Sequence, residues 1–262
     1  VIIERATSPQ WLSNTYLIAD PASGVAAMVD AGGPVEALLD IIEQRGYALA
    51  YVLLTHHHGD HIAELDKVVV AQPDAEVLIH PLEIELVPQA TGTLQPGQPL
   101  SVGAIPIEVL HTPGHTTGMV ALLASGSELF TGDTLFRGSV GGLHASGHAT
   151  YADLKRSIMD TLLRRDAAVH INPGHSEPTT VGAELAQNPF VRVWRGLDPE
   201  GSSPCTVSGK PATLIVAAED YDGGTKAWVR WPDGADDIVP GSRVQVGGGP
   251  LAATTIPKLD RR

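Results

Sequence analysis

The chain has 262 residues, 43% hydrophobic and 18% charged, with 17 Lys and Arg against 30 Asp and Glu. That length is ample for a buried core and allows one large domain, or one with a small appendage. The net charge of −13 argues against a nucleic-acid partner, no apolar run of about 18 residues is present to span a membrane, and the lone Cys205 excludes an internal disulfide framework or a cysteine-built zinc finger. No secretion signal is recognisable, so a cytoplasmic location without membrane association is expected.

In chain order, short apolar segments at Ile2-Ile3, Tyr16 to Ile18 and Ala26 to Val29 predict three strands. Gly32-Gly33-Pro34 opens a helix whose Val35, Leu38, Leu39 and Ile42 share one face, and Gly46 ends it. Tyr51 to Leu54 reads as a buried strand running straight into a histidine cluster, followed by one helix carrying Ile62, Leu65 and Val69. Strands are predicted again at Val77 to Ile79, Ile105 to Leu110, Met119 to Leu123, Leu129-Phe130 and Val169 to Ile171. Thr150 is placed to cap a helix with the stripe Leu154, Ile158 and Leu162, and a last helix covers Val181 to Ala186. Composition changes near Trp194. Gly201 to Pro204 reads as a linker, and strands at Thr213 to Ala217, Lys226 to Trp231 and Val244 to Val246 follow, with turns at Asp222-Gly223-Gly224 and Pro232-Asp233-Gly234. The reading is a mixed α/β domain over residues 1–195 and a small all-β appendage over residues 196–262. Nearly all the excess acid falls in the first.

Eleven histidines stand out in so Cys-poor a chain, and His56, His57, His58 and His61 fall within six residues. Residues two apart on an extended chain point the same way, so His56 and His58 can converge on one point. Gly59 permits the turn that aims Asp60 and His61 at a second. These imidazoles at the end of a buried strand are costly unless metal or water satisfies them, and zinc suits N and O ligands. Three later segments repeat the grammar of strand end, glycine and ligand: Thr112-Pro113-Gly114-His115-Thr116, Thr131-Gly132-Asp133-Thr134 and Pro173-Gly174-His175. Alone, Asp133 reads as a turn residue and His175 as a surface histidine. Together they fit a sheet that gathers ligands along one edge.

On these motifs the chain resembles the metallo-β-lactamase-fold hydrolases, and within them the glyoxalase II-like branch, from residue 1 to about 194. Thr179 through Phe190 also resembles the end of short-form members. The resemblance implies an α/β fold, an αββα sandwich with a two-metal centre on its edge. His56, His58 and His115 would hold one ion, Asp60, His61 and His175 the other, with Asp133 bridging and Asp30 orienting the His/Asp loop. It implies two divalent ions, zinc first, with iron or manganese as alternatives. It further implies thioester hydrolysis by a metal-bound hydroxide that Asp60 orients as well as ligates. A lactonase or other ester hydrolase would use the same centre. A persulfide dioxygenase, which resembles this branch, would need one iron and no catalytic His175.

Glutathione-specific members carry a cationic and a tyrosine side chain after Gly-Asp-Thr-Leu-Phe, where this chain has Gly142 and His144. That departure points to another small thiol, coenzyme A or a carrier protein. Arg137, His144 and His148 are the candidates for substrate contact, each also readable as a loop residue. In the appendage, Trp228 and Arg230 share a strand face. That face would bind a carrier protein, a second subunit or nucleic acid, or form the appendage's core and dock it onto the hydrolase.

Overall fold

Alternate side chains of each strand point to opposite faces, and in the central strands at 14–20 and 120–124 every residue is buried, so the sheets that hold them must be covered on both sides. The computed structural model describes residues 1–251; the last part of the 196–262 appendage, residues 252–262, lies outside the described residues. The first sheet holds β1 (Ile2–Thr7), β2 (Asn14–Asp20), β3 (Val25–Val29), β4 (Ala48–Leu53), β5 (Glu76–Ile79) and β6 (Gly92–Thr93) in that order. It is antiparallel as far as β3 and parallel from β3 to β6. The second sheet is built from β7 (Leu100–Val102), β8 (Ile105–His111), β9 (Val120–Ala124), β10 (Glu128–Gly132), β13 (His170–Pro173) and β14 (Thr179–Thr180). Its order is β14-β13-β10-β9-β8-β7, with only β10 and β13 parallel. Between β10 and β13 the chain forms a small hairpin, β11 (Leu135–Phe136) with β12 (Ser139–Val140).

The two sheets meet through Tyr16, Ile18, Ala27 and Val29 on one side and Ile107, Val109, Leu122 and Phe130 on the other. The alternate residues Leu17, Ala19 and Met28 face α1 (Glu36–Arg45) and α3 (Leu65–Ala71). Behind the second sheet, Ala121, Leu123, Leu129 and Ile171 pack on α4 (Tyr151–Arg156), α5 (Val181–Gln187) and α6 (Pro189–Trp194). The layers therefore run helix, sheet, sheet, helix, the αββα sandwich that the motifs implied.

Local chemistry explains the helix ends. Gly46 takes the left-handed conformation that closes α1, and Thr150 forms a reciprocal capping box with Asp153 at α4. The predicted Leu154, Ile158, Leu162 stripe is fully buried, but beyond Arg156 the helix continues in wider i→i+5 turns to Leu162. The single helix expected after the histidines is instead two: α2 (Gly59–Ile62) and α3. Between them the Glu64 N–H donates to Ala31 and its carboxylate accepts from the Val35 N–H, contacts that fix a break in the ladder. The predicted linker is shorter than expected, because Ser203 and Pro204 already belong to β15 (Ser203–Val207). Pro204 faces only Thr213 of one neighbour, and β19 pairs from Cys205 onward, so its missing N–H is tolerated there.

β15 joins β16 (Lys210–Glu219), β17 (Thr225–Arg230), β18 (Asp236–Pro240), β19 (Val244–Val246) and β20 (Gly249–Pro250) in an all-antiparallel third sheet, order β18-β17-β16-β15-β19-β20. One face encloses Cys205, Val207, Val229 and Val239. The other presents Val216, Ala218, Trp228 and Ile238 to the core behind the second sheet. There Trp228 lies against Tyr151, ring centroids 5.3 Å apart, and against Trp194, whose indole N–H donates to the Tyr151 hydroxyl. The Trp228 side of the Trp/Arg face is thus turned inward onto the sandwich layers. No helix among the described residues is long and apolar enough to cross a membrane.

Candidate metal centre

The site forms where four strands stop. β4 ends at Leu53, and the chain passes through Thr55 to His56, His57 and His58 before α2 supplies Asp60 and His61. His115 stands between β8 and β9, Asp133 follows β10, and His175 follows β13. Because β10 and β13 run parallel, their ends bring Asp133 and His175 to the same level. Gly174 is indispensable at that junction: a Cβ there would lie 2.3 Å from Asp133 Oδ1 and 2.8 Å from the His61 ring.

Seven side chains converge. His56, His58 and His115 form one group whose ligand atoms lie within 4.8 Å of one another; Asp60, His61 and His175 form another; His56, His61 and Asp133 connect them. Asp133 reaches both sides. Its Oδ1 lies 3.2 Å from His61 Nε2, and its Oδ2 lies 3.4 Å from His175 Nε2 and 3.5 Å from His115 Nε2. Asp60 Oδ2 is 3.2 Å from His175 Nε2 and 3.7 Å from His61 Nε2.

A surrounding shell ties down the far nitrogens. His61 Nδ1 bonds to Asp30 Oδ2 at 2.8 Å, His175 Nδ1 to the Leu12 carbonyl at 3.0 Å, and His115 Nδ1 to the Gly142 carbonyl at 2.8 Å. The Thr55 hydroxyl donates to Asp30 and lies 3.0 Å from His56 Nδ1. Each of these contacts leaves Nε2 as a lone-pair donor aimed inward. His58 is turned the other way: Nε2 meets the Ser146 carbonyl, and Nδ1 lies 2.9 Å from His115 Nε2. Two lone pairs at that distance need a cation or a proton between them. Asp30 itself sits at φ 59°, a strained conformation that lets one carboxylate serve Thr55 N, Thr55 Oγ and His61 together.

These residues fit a metal. His56 Nε2, His61 Nε2, His175 Nε2 and Asp133 Oδ1 are buried without a hydrogen-bond partner, although their mutual distances are short. Four such atoms in one centre would be expensive unless cations accepted their lone pairs. The electrostatics agree. Burial opposes charge on His61 and His175, yet Asp133 and its neighbouring carboxylates outweigh it, holding His61 well above its ordinary value and lifting His175 to about 9. His56 is depressed well below its ordinary value by burial and by His61, and His115 falls to about 4, chiefly through burial with His58 and Lys226 adding. Against the same burial, His175 and His61 keep Asp133 far below the usual carboxylate range. Without a cation the centre charges its own histidines; divalent ions would replace those protons. Nitrogen and oxygen donors suit zinc, iron or manganese alike.

A family model described as the Metallo-beta-lactamase superfamily matches residues 9–175, the span that contains all seven side chains. This chain belongs to the metallo-beta-lactamase superfamily. Among superfamily relatives, a hydroxyacylglutathione hydrolase of Rhizobium meliloti (strain 1021) is 31% identical over 212 residues, covering 68% of this chain and 81% of its own. A B3 metallo-beta-lactamase, BLEG-1, matches in structure with a TM-score of 0.67 at 27% identity, over 72% of this chain and 99% of that one. The protein TTHA1623, crystallised in a di-iron-bound form, matches with a TM-score of 0.62 at 31% identity, over 71% and 99%.

Of the candidate substrate contacts, His144 lines a cavity of about 470 Å³ beside His115 and Asp133, with Asp237 3.6 Å away. Arg137 lines a separate groove beyond Tyr221, and His148 is exposed with its ring on the adjacent Ala149 carbonyl. Other residues of the site carried no signal in the sequence. Glu83, 1% exposed, accepts from the His57 N–H, the Thr116 hydroxyl and the Gly118 N–H, and its carboxylate lies 2.8 Å from His57 Nδ1. It clamps the histidine loop to the β8–β9 loop. Ser13 donates to the Asp60 carbonyl, and the Tyr16 hydroxyl donates to the Pro173 carbonyl. Tyr221 and Lys226 reach the cavity from the third sheet. Their segment showed only the Asp222-Gly223-Gly224 turn and the strand from Lys226, which mark a hairpin and not its target.

Proposed function

We propose that the protein is a glyoxalase II-like thioesterase, a metal-dependent hydrolase using two divalent ions at this centre. The observation that carries the reading is the double donor set. His56, His58 and His115 on one side and Asp60, His61 and His175 on the other, with Asp133 between, supply donors for two ions. The orphaned His175 Nε2 supports two ions over one, which weighs against the mononuclear dioxygenase reading. The relative called a hydroxyacylglutathione hydrolase and the di-iron-bound structure support the same choice.

Divalent ions held there would supply Lewis acidity and a water acidic enough to deprotonate near neutral pH. The protein's own part is placement. Asp60 is half-buried, and His175 and His61 outweigh burial to keep its carboxyl below its ordinary value, so it stays an acceptor at neutral pH. From that position its carboxylate would accept a hydrogen bond from the attacking water and orient it toward the thioester carbon. Water adds to that carbon, the C–S bond breaks, and the thiol leaves with a proton while the acyl group departs as a carboxylic acid. His61 and His175 are locked by Asp30 and Leu12, so the donors do not reorganise during the step.

The test is metal analysis of the purified protein with a thioester, ester and lactone panel. About two ions per chain and selective thioester turnover are expected, with chelation removing both. Asp60→Asn should lower turnover by roughly 10²-fold or more while the fold survives. A folded Asp60→Asn protein with full activity would overturn the reading, and turnover of lactones alone would move it to the lactonase.

A further inference from the structure

The cavity beside the metal centre has a second wall that belongs to neither sandwich sheet. The β16–β17 hairpin of the third sheet extends over the opening. Tyr221 stacks on the His175 ring, centroids 4.0 Å apart and planes 14° from parallel, and touches Phe136 edge-on at 5.4 Å. Directly behind them Lys226, 7% exposed, holds its ammonium 5.3 Å from the Phe136 centroid and 5.6 Å from the Tyr221 centroid. Among the described residues that line this cavity, Lys226 is the one lysine or arginine.

A buried lysine needs a reason. Asp220, whose Oδ2 lies 3.0 Å away, answers one of its three N–H donors, and Ser139 fixes that carboxylate by donating to Oδ1. Lys226 itself lines the cavity, where Gly142 leaves the wall bare: a Cβ on Gly142 would be 4.0 Å from Nζ. Gly142 in turn accepts the His115 hydrogen bond, so the ammonium stands one residue from a side chain of the centre.

We propose that Lys226, delivered by the appended sheet, is the subsite for a carboxylate on the substrate, with Tyr221 forming the floor that carries the substrate past His175. The substrate is then a small thioester with one negative charge near the scissile bond. A dianionic phosphate fits worse, since Asp220 and Asp222 also line the cavity and a single ammonium would answer two charges. The substrate class rests on the thioesterase reading; the anion site rests on the hairpin alone.

The experiment uses the full-length metal-loaded protein and binding calorimetry with thioethers, which cannot be hydrolysed. The probes are S-propyl-N-acetylcysteine and 4-(propylthio)butanoate, each beside its carboxamide. At least one carboxylate should bind roughly tenfold or more tighter than its amide. Lys226→Met should erase that preference with metal content unchanged. Asp220→Asn, which removes the competing carboxylate charge and keeps the ammonium, should increase it, and this arm stands even if Lys226→Met fails to fold. No carboxylate preference in the wild type, or a preference that survives Lys226→Met, or one that Asp220→Asn leaves unaltered, overturns the proposal. Carboxylate preference without turnover of any thioester would instead sink the thioesterase reading and leave the anion site standing.

Discussion

On one side of the cavity, seven His and Asp side chains arrive within a few residues of the ends of β4, β8, β10 and β13. On the other side, Tyr221 and Lys226 arrive on a hairpin whose sheet touches the sandwich through Trp228, Val216 and Ile238. The first wall is positioned by hydrogen bonds: nearly every imidazole has its far nitrogen fixed by a carboxylate or carbonyl. The second is positioned by apolar packing some distance away, with the Ser139–Asp220 and Leu143–Ile238 hydrogen bonds among its polar links. A donor set tolerates little displacement, so it is built on adjacent loops. The wall opposite is shared, with Phe136 and Gly142 from the sandwich and Tyr221 and Lys226 from the docked sheet.

That contrast is open to attack, most heavily at Trp228. Its removal from the junction with Tyr151 and Trp194 should cost about 3–5 kcal/mol in Trp228→Ala, read by urea unfolding. If the walls are separable, the variant keeps its metal and loses affinity for substrate; loss of metal would show them to be one unit. A smaller effect is expected at Glu83, which belongs to the first wall alone. Glu83→Gln turns an acceptor of several donors into a partial mismatch. It should cost about 1–3 kcal/mol, and by loosening the His57 loop it should weaken metal retention roughly tenfold or more, measured by chelator competition. Binding of anionic probes should change far less than metal retention.

The smallest effect concerns the joint. Glu184 accepts from the Gly138 N–H, Thr179 and Asn188, and Asn188 also donates to the Ser139 carbonyl next to the Asp220 contact. Burial raises the Glu184 pKa above its ordinary value despite those bonds. A raised folded-state pKa means that the folded protein binds the proton more tightly than the unfolded chain. Its stabilisation is complete below the unfolded value and disappears as pH rises through the folded one. Glu184→Gln should therefore flatten the stability profile above about pH 4.5, by a fraction of a kcal/mol to about 1 kcal/mol. Urea midpoints at pH 5 and pH 7.5 measure it; an unchanged slope would place the ionised carboxylate in a better-satisfied setting than its contacts suggest.

The difference between the walls also governs what could be read from the sequence. Thr-His-x-His-x-Asp-His is legible because strand end, turn and helix start are consecutive, so the ligand spacing is written in residue numbers. His115, Asp133 and His175 each follow a glycine at a strand end and repeat that grammar. The strands β2, β3, β4 and β8 are legible for the same reason, since their apolar runs are long and bounded. Short pieces such as β11, β12 and β14 have two residues each and no periodicity to detect. Glu83 is invisible because its partners, His57, Thr116 and Gly118, lie 26 to 35 positions away. Lys226 is invisible because its place depends on which face of β17 docks, and alternation defines two faces without choosing between them.

The order of the parts along the chain has a further consequence. All seven side chains of the centre lie between positions 56 and 175, while the sheet that overhangs them begins at Ser203. During synthesis from the N-terminus, the donor set is complete before the hairpin with Tyr221 and Lys226 exists. The donor set can thus assemble in the open, and the later arrival of the third sheet adds the wall that carries Tyr221 and Lys226.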